Sequence, residues 1–170
     1  MNQSKILKII KKQIVLWNND PVDNIFLEDD KFDDDYKSND DIKNKQFCLY
    51  FSFVGPQDTL WNEQMYEGKI TYPTNYPFSP PEVKFTTKMF HPNIYESGIV
   101  CISILHEGVD STGYENDDMR WTPAQNIQTI MRSIQLLFHE PNCDSPANID
   151  ASVMFRDNKE GMAKYIRDLS

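Results

Sequence analysis

The sequence predicts an α+β fold: an N-terminal helix, a four-stranded antiparallel meander sheet, then C-terminal helices. Three observations carry that expectation. Apolar residues recur at helical spacing near the start, four strand-like runs follow with short connections, and helical spacing returns after residue 122. A chain of 170 residues lies within the range of one domain and buries roughly 68–70% of its unfolded surface, enough for a single core. One domain over residues 1–170 is therefore expected.

The first helix is predicted over Ser4 to Trp17. Ile6, Ile10, Ile14 and Trp17 share one face, while Lys5, Lys8 and Lys12 gather on another. Those lysines read either as a solvated face or as a docking face for an acidic partner. Asp20-Pro21 breaks the run, and Ile25-Phe26-Leu27 forms the end of a short strand. Residues 28–45 lack apolar periodicity and are read as an acidic insertion, a long solvated hairpin loop or a disordered segment. Phe47, Leu49, Phe51 and Phe53 then alternate with Cys48, Tyr50 and Ser52, which predicts a core strand with Cys48 as an inert packed thiol. Gly55-Pro56 closes it. Further strands are predicted over Met65–Tyr72 and Val83–Thr86, and the proline-rich Tyr76 to Pro81 lies between them.

Thr122-Pro123-Ala124-Gln125 reads as a helix start, with a threonine cap, proline first and glutamine third. Ile127, Ile130, Met131, Ile134 and Leu137 supply its buried stripe, and the helix should stop before Pro141. The last 25 residues hold one or two more helices, with an interruption expected at Gly161.

Composition excludes several classes. Formal net charge is −9, and residues 28–41 alone carry eight acidic side chains against two lysines, so non-specific nucleic-acid binding is not expected. The lysine-rich opening is not expected to act as a signal peptide, and no stretch of 18 apolar residues exists, so no direct membrane insertion is expected. Three cysteines without a secretory segment point to a reducing, cytoplasmic or nuclear setting with no disulfide framework. His91, His106 and His139 form no zinc-type spacing with the cysteines, so no metal and no cofactor are expected.

The chemistry concentrates in His91-Pro92-Asn93-Ile94-Tyr95-Glu96-Ser97-Gly98-Ile99-Val100-Cys101. A cysteine acts as a nucleophile only as thiolate, from a reference pKa of about 8.5. An asparagine amide can donate a hydrogen bond to the oxyanion of a tetrahedral intermediate. Together they suggest acyl transfer, although a lone cysteine among apolar residues is more often structural.

At this point the sequence resembles the ubiquitin-conjugating enzyme family. The family signature is His-Pro-Asn with the catalytic cysteine eight residues after the asparagine, the spacing of Asn93 and Cys101, with Gly98 between them. Gly55-Pro56, the Tyr-Pro-Phe-x-Pro-Pro run at Tyr76 to Pro81, and Trp121-x-Pro follow in the family's order. The resemblance runs from the first helix to at least Arg156. Most members place the tryptophan eight residues after the cysteine; here Trp121 lies 20 after Cys101, so about 12 residues are inserted. Glu107, Asp110, Glu115, Asp117 and Asp118 make that insertion (about 107–120) an acidic loop, and Cys101-Ile-Ser-Ile-Leu-His106 and Ser145 to Ala151 resemble the acidic-loop class. That class includes chain-building members, and a chain ending at Ser170 without a long acidic tail looks closer to the shorter ones, some of which act at the endoplasmic reticulum.

The resemblance implies a relay. An activating enzyme delivers ubiquitin as a thioester to Cys101, and a lysine amine of a substrate or of ubiquitin then attacks it, with a RING-type ligase as partner. It gives Asn93 the oxyanion or the active-site loop to hold, gives His91 a structural role, and places Asp144 and Ser145 near the incoming amine. Phe78, Pro123 and Ala124 match ligase-contacting positions, and the Lys5, Lys8 and Lys12 face matches the helix that meets the activating enzyme. Negative charge near a thiol disfavours thiolate, so the acidic loop is read as attracting a lysine amine or basic ubiquitin residues, or as a solvated flap. Two departures stand out: the insertion after Leu27, and Glu63-Gln64 where the family usually has a glycine pair, so the local turn is expected to differ. A different ubiquitin-like modifier, a non-enzymatic binding module and a Cys-His hydrolase remain as rivals.

Overall fold

The computed structural model describes residues 3–28, 47–108 and 119–169. Helix α1 spans Gln3–Asn19, and strands β1 (Ile25–Glu28), β2 (Phe47–Val54), β3 (Met65–Tyr72) and β4 (Glu82–Phe85) form one antiparallel sheet in that order. A 3-10 turn at Ser103–Leu105 precedes α2 (Ile127–His139), α3 (Ile149–Asp157) and α4 (Lys159–Asp168). The predicted architecture is the one observed.

The α1 stripe folds as its spacing requires. Ile6, Ile10 and Trp17 are buried, with Ile14 packed against the core, and each fully buried side chain contributes about 1.5–3 kcal/mol. Lys5, Lys8 and Lys12 are exposed on the other side. In β2 the alternation puts Leu49, Phe51 and Phe53 inward, paired with Ile70, Gly68 and Tyr66 of β3. Cys48 points to the outer face, half-buried, with its sulfur 3.7 Å from Thr71 Oγ1.

Helix α2 lies under the inner face. The Phe138 ring sits 4.5 Å from Phe53, 5.3 Å from Trp61 and 6.2 Å from Phe85, centroid to centroid. Phe138 is fully buried while Leu137 is only partly so, which shifts the end of the predicted stripe by one residue.

Other boundaries move for identifiable reasons. β4 begins at Glu82 and ends at Phe85, one residue earlier than expected. The Thr122-Pro123 signal does not start α2. It forms a turn closed by Gln125 N–H donating to the Thr122 carbonyl at 3.0 Å. The cap is Asn126, whose side chain accepts from Thr129 N–H at 3.0 Å while Thr129 Oγ1 accepts from Asn126 N–H at 2.9 Å. That reciprocal box satisfies two end groups at once, and it leaves Ile127 as the first buried residue. Near the C-terminus the break falls at Asn158 and not at Gly161. Gly161 belongs to the first turn of α4, where a Cβ would stand 2.3 Å from the amide nitrogen of the capping Asn158.

At Glu63 the backbone takes φ 62°, the conformation a glycine would adopt without strain. Glu63 therefore holds a left-handed backbone conformation without being a glycine. The acidic insertion of residues 28–45 lies, beyond Glu28, outside the described residues.

Candidate active site

Between β4 and the 3-10 turn the chain has no periodicity, yet its polar groups are engaged one by one. His91 is fully buried between aromatic rings, 4.5 Å from Trp61 and 4.8 Å from Phe138. Its Nδ1 accepts the Asn93 backbone N–H at 2.9 Å, so the proton sits on Nε2, which donates to the Leu137 carbonyl at 3.1 Å. Burial pushes this imidazole down to about pKa 3, against the smaller opposing effect of the Leu137 carbonyl. His91 is neutral and fixed in one tautomer.

Asn93 is also buried. Its amide nitrogen donates to the Asn142 carbonyl at 2.7 Å, and its amide oxygen accepts Asn142 N–H at 2.8 Å. The Pro92 carbonyl accepts from the N–H groups of Ala147 and Asn148 at 2.8 and 2.9 Å. These bonds fasten the segment from Asn142 to Asn148 against the loop at both ends. Asp144 and Ser145 lie exposed within it, and Cys143 is half-buried.

Cys101 follows directly. Its N–H donates to the Asn93 carbonyl at 2.9 Å, and Val100 N–H reaches the Val83 carbonyl of β4 at 2.9 Å. Gly98 makes the return turn at φ 87°, where a Cβ would stand 2.1 Å from the Phe85 carbonyl oxygen, so glycine is required. The thiol is half-buried and lines an open cleft of about 300 Å³ with Pro80, Glu82, Leu105 and others.

Two side chains that sequence reading did not single out touch the sulfur. The Tyr95 hydroxyl donates to Sγ at 3.7 Å, and His106 Nε2 lies 3.6 Å from it. The bond to Cys101 raises the Tyr95 pKa, because deprotonation would remove the donor and set a charge beside the sulfur. His106 returns to the thiol because one 3-10 turn separates them, and its carbonyl is pinned by Trp121 N–H at 3.0 Å. The spacing Cys101-x-x-x-x-His106 was visible, but only the turn gives it meaning.

Of the acidic loop, Glu107 is exposed and its carbonyl accepts from the Arg120 guanidinium at 2.7 Å. Asp110, Glu115, Asp117 and Asp118 lie outside the described residues. Phe78 is 69% exposed, and Pro123 and Ala124 are exposed as well. Trp121 ties those two segments together, its indole N–H donating to the Pro77 carbonyl at 2.9 Å. No group of metal-binding side chains occurs among the described residues.

This geometry can carry acyl transfer through sulfur: an accessible thiol, an open cleft, and a buried polar frame. Comparisons with known proteins agree. A family model described as ubiquitin-conjugating enzyme matches residues 12–170. A probable ubiquitin-conjugating enzyme E2 of Encephalitozoon cuniculi is 46% identical over 127 residues, 74% of this chain and 56% of that protein. A ubiquitin-conjugating enzyme E2 of African swine fever virus is 47% identical over 113 residues, 65% of this chain and 50% of that protein. Human ubiquitin-conjugating enzyme E2 G2 is 44% identical over 117 residues, 68% of this chain and 71% of that protein. The match thus spans about half the length of the first two relatives. A family model covering nearly the whole chain settles the assignment: the chain belongs to the ubiquitin-conjugating enzyme family.

Proposed function

We propose that this protein accepts ubiquitin from an activating enzyme as a thioester on Cys101 and passes it to a lysine amine. In loading, the Cys101 thiolate attacks the ubiquitin thioester carbonyl and the activating enzyme's thiol leaves. In transfer, the lysine nitrogen forms the new C–N bond, the C–S bond breaks, and one proton passes from nitrogen to the departing sulfur. The observation that carries this reading is the placement of Cys101: its sulfur opens on a cleft while its N–H is bonded to Asn93.

The surrounding residues take roles their contacts support. Asn93 acts as a brace, since both ends of its amide hold Asn142. His91 is the buried pin of the same frame. Asp144 and Ser145, on the segment that the brace fastens, orient the incoming amine. Lys5, Lys8 and Lys12 meet the activating enzyme. Exposed Phe78, with Pro123 and Ala124, receives a RING-type ligase, and the acidic loop from Glu107 draws the attacking lysine toward chain building. The three unpaired cysteines suit a reducing compartment, the cytoplasm or nucleus.

The test is a loading assay with ubiquitin, activating enzyme and ATP. Wild type should give an adduct cleaved by thiol, Cys101→Ala none, and Cys101→Ser an ester that resists thiol. Loading of a different modifier in place of ubiquitin, or loading that survives Cys101→Ala, would overturn the proposal.

A further inference from the structure

Among the described residues two polar side chains meet the Cys101 sulfur, and they meet it differently. The Tyr95 hydroxyl donates to it at 3.7 Å, and His106 Nε2 lies 3.6 Å away, just past the 3-10 turn. The contact with Cys101 raises the Tyr95 pKa, so the phenol keeps its proton and stays the donor of that bond. The sulfur's own hydrogen is then left with the imidazole nitrogen as its acceptor.

The backbone sets this pair in place. Cys101 N–H is bonded to the Asn93 carbonyl, while His106 donates its N–H to the Ser103 carbonyl at 2.9 Å and accepts Trp121 N–H at 3.0 Å. A histidine used for packing is enclosed, as His91 is; His106 is half-buried and lines the same open cleft as the thiol. An ordinary thiol is mostly un-ionised at neutral pH, yet only its thiolate reacts, and imidazole takes up protons in that range. The charged groups around the pair are Glu82 of β4, which lines the cleft, then Glu107, and Arg120, whose guanidinium bonds the Glu107 carbonyl. Carboxylates outnumber the guanidinium there, which suits a positive charge formed on the imidazole during transfer.

We infer that His106 is the base of the loading step: its Nε2 takes the Cys101 proton as the sulfur attacks the incoming thioester. The inference rests on the proposed thioester transfer and adds to it the group that frees the thiolate. The S–H bond breaks as an N–H bond forms at Nε2, and the sulfur bonds to the carbonyl carbon. The C–S bond to the donor thiol then breaks, and the departing sulfur takes the proton back from the imidazolium. His106 ends as it began. The step needs the neutral tautomer with its hydrogen on Nδ1. His91 is the opposite case: its hydrogen sits on Nε2, both ring nitrogens are engaged by the frame, and it moves no proton.

The experiment follows loading of the full chain from ubiquitin carrying a C-terminal mercaptoethanesulfonate thioester, without activating enzyme, from about pH 6 to about pH 9. Wild type should load at a nearly constant rate above about pH 7, where imidazole is free to accept. His106→Gln keeps an acceptor atom near the sulfur but is not basic. It should load about tenfold more slowly at about pH 7, then climb with pH and meet wild type near about pH 9, where a thiol ionises unaided. Free imidazole should restore part of the rate of His106→Ala. Alkylation of Cys101 by iodoacetamide, read from the mass of its peptide, should fall in His106→Gln by the same factor as loading. Loading by His106→Gln equal to wild type at neutral pH would overturn the inference. A loss of one constant factor at every pH would also overturn it, because that is the mark of a misplaced thiol. Wild type that takes up no ubiquitin while its Cys101 still alkylates would instead remove the transfer reaction, so the two failures are separable.

Discussion

The β2–β3 hairpin and the loop from Phe90 to Cys101 are held by opposite means. In the hairpin, eight consecutive residue pairs keep register through a regular ladder, and the inner face is made of aliphatic and aromatic side chains. In the loop the backbone is irregular, and order comes from buried polar side chains that bond to backbone far away in sequence. His91 reaches Leu137 and Asn93 reaches Asn142, separations of 46 and 49 residues. The hairpin spreads its stability over many interchangeable contacts, whereas the loop depends on a few that cannot be exchanged. A thiol with the role proposed for Cys101 needs the second kind, since its position must be set and its surroundings must stay open.

Breaking the hairpin side should produce the largest effect on stability. Phe53→Ala removes a fully buried ring at the centre of the aromatic cluster and should cost about 3–5 kcal/mol in denaturant unfolding. Thioester formation per folded molecule should hardly change. A large loss of loading in the folded fraction would show that the two regions are not separable.

The loop side can be strained with acid. Above about pH 6.5 His91 is neutral whether folded or unfolded, and no penalty arises. Below that, the unfolded chain takes up a proton that folded His91 refuses until about pH 3, so stability falls as pH falls. By pH 5 the loss from this residue alone is about 2 kcal/mol. Unfolding at pH 7 and pH 5 should show that drop in wild type and a smaller one in His91→Asn. Equal drops would mean that His91 is not the group responsible.

The smallest stability effect should accompany the sharpest loss of activity. Asn93→Ala removes two hydrogen bonds and should cost about 1–2 kcal/mol. Misplacing the thiol's frame should nevertheless slow thioester discharge by up to about a hundredfold. Parallel measurement of unfolding and discharge would sharpen the contrast, and an equal fractional effect on both would erase it.

What could be read from the sequence follows the same division. Alternation in β2 and the Ile6, Ile10, Trp17 stripe report burial directly, because side-chain direction is set by local geometry. His91, Asn93 and Cys101 were legible as one motif, and the structure brings them together, with His91 and Asn93 buried and Cys101 bonded to Asn93. Tyr95 and His106 were not, because their approach to Sγ depends on the Gly98 turn and the Ser103–Leu105 turn, neither of which has a periodic signature. The α2 start was misplaced because Thr122-x-x-Gln125 and Asn126-x-x-Thr129 are both plausible caps locally. Only the burial of Ile127 against the sheet selects the second.

Asn158 closes α3 through its N–H to the Met154 carbonyl and opens α4 through its side chain on Gly161 N–H. No residue other than Asn158 separates the helices. Fraying cannot therefore start at this junction on one side alone: a rotation of that single residue unfastens both, and their amides should lose exchange protection as one foldon.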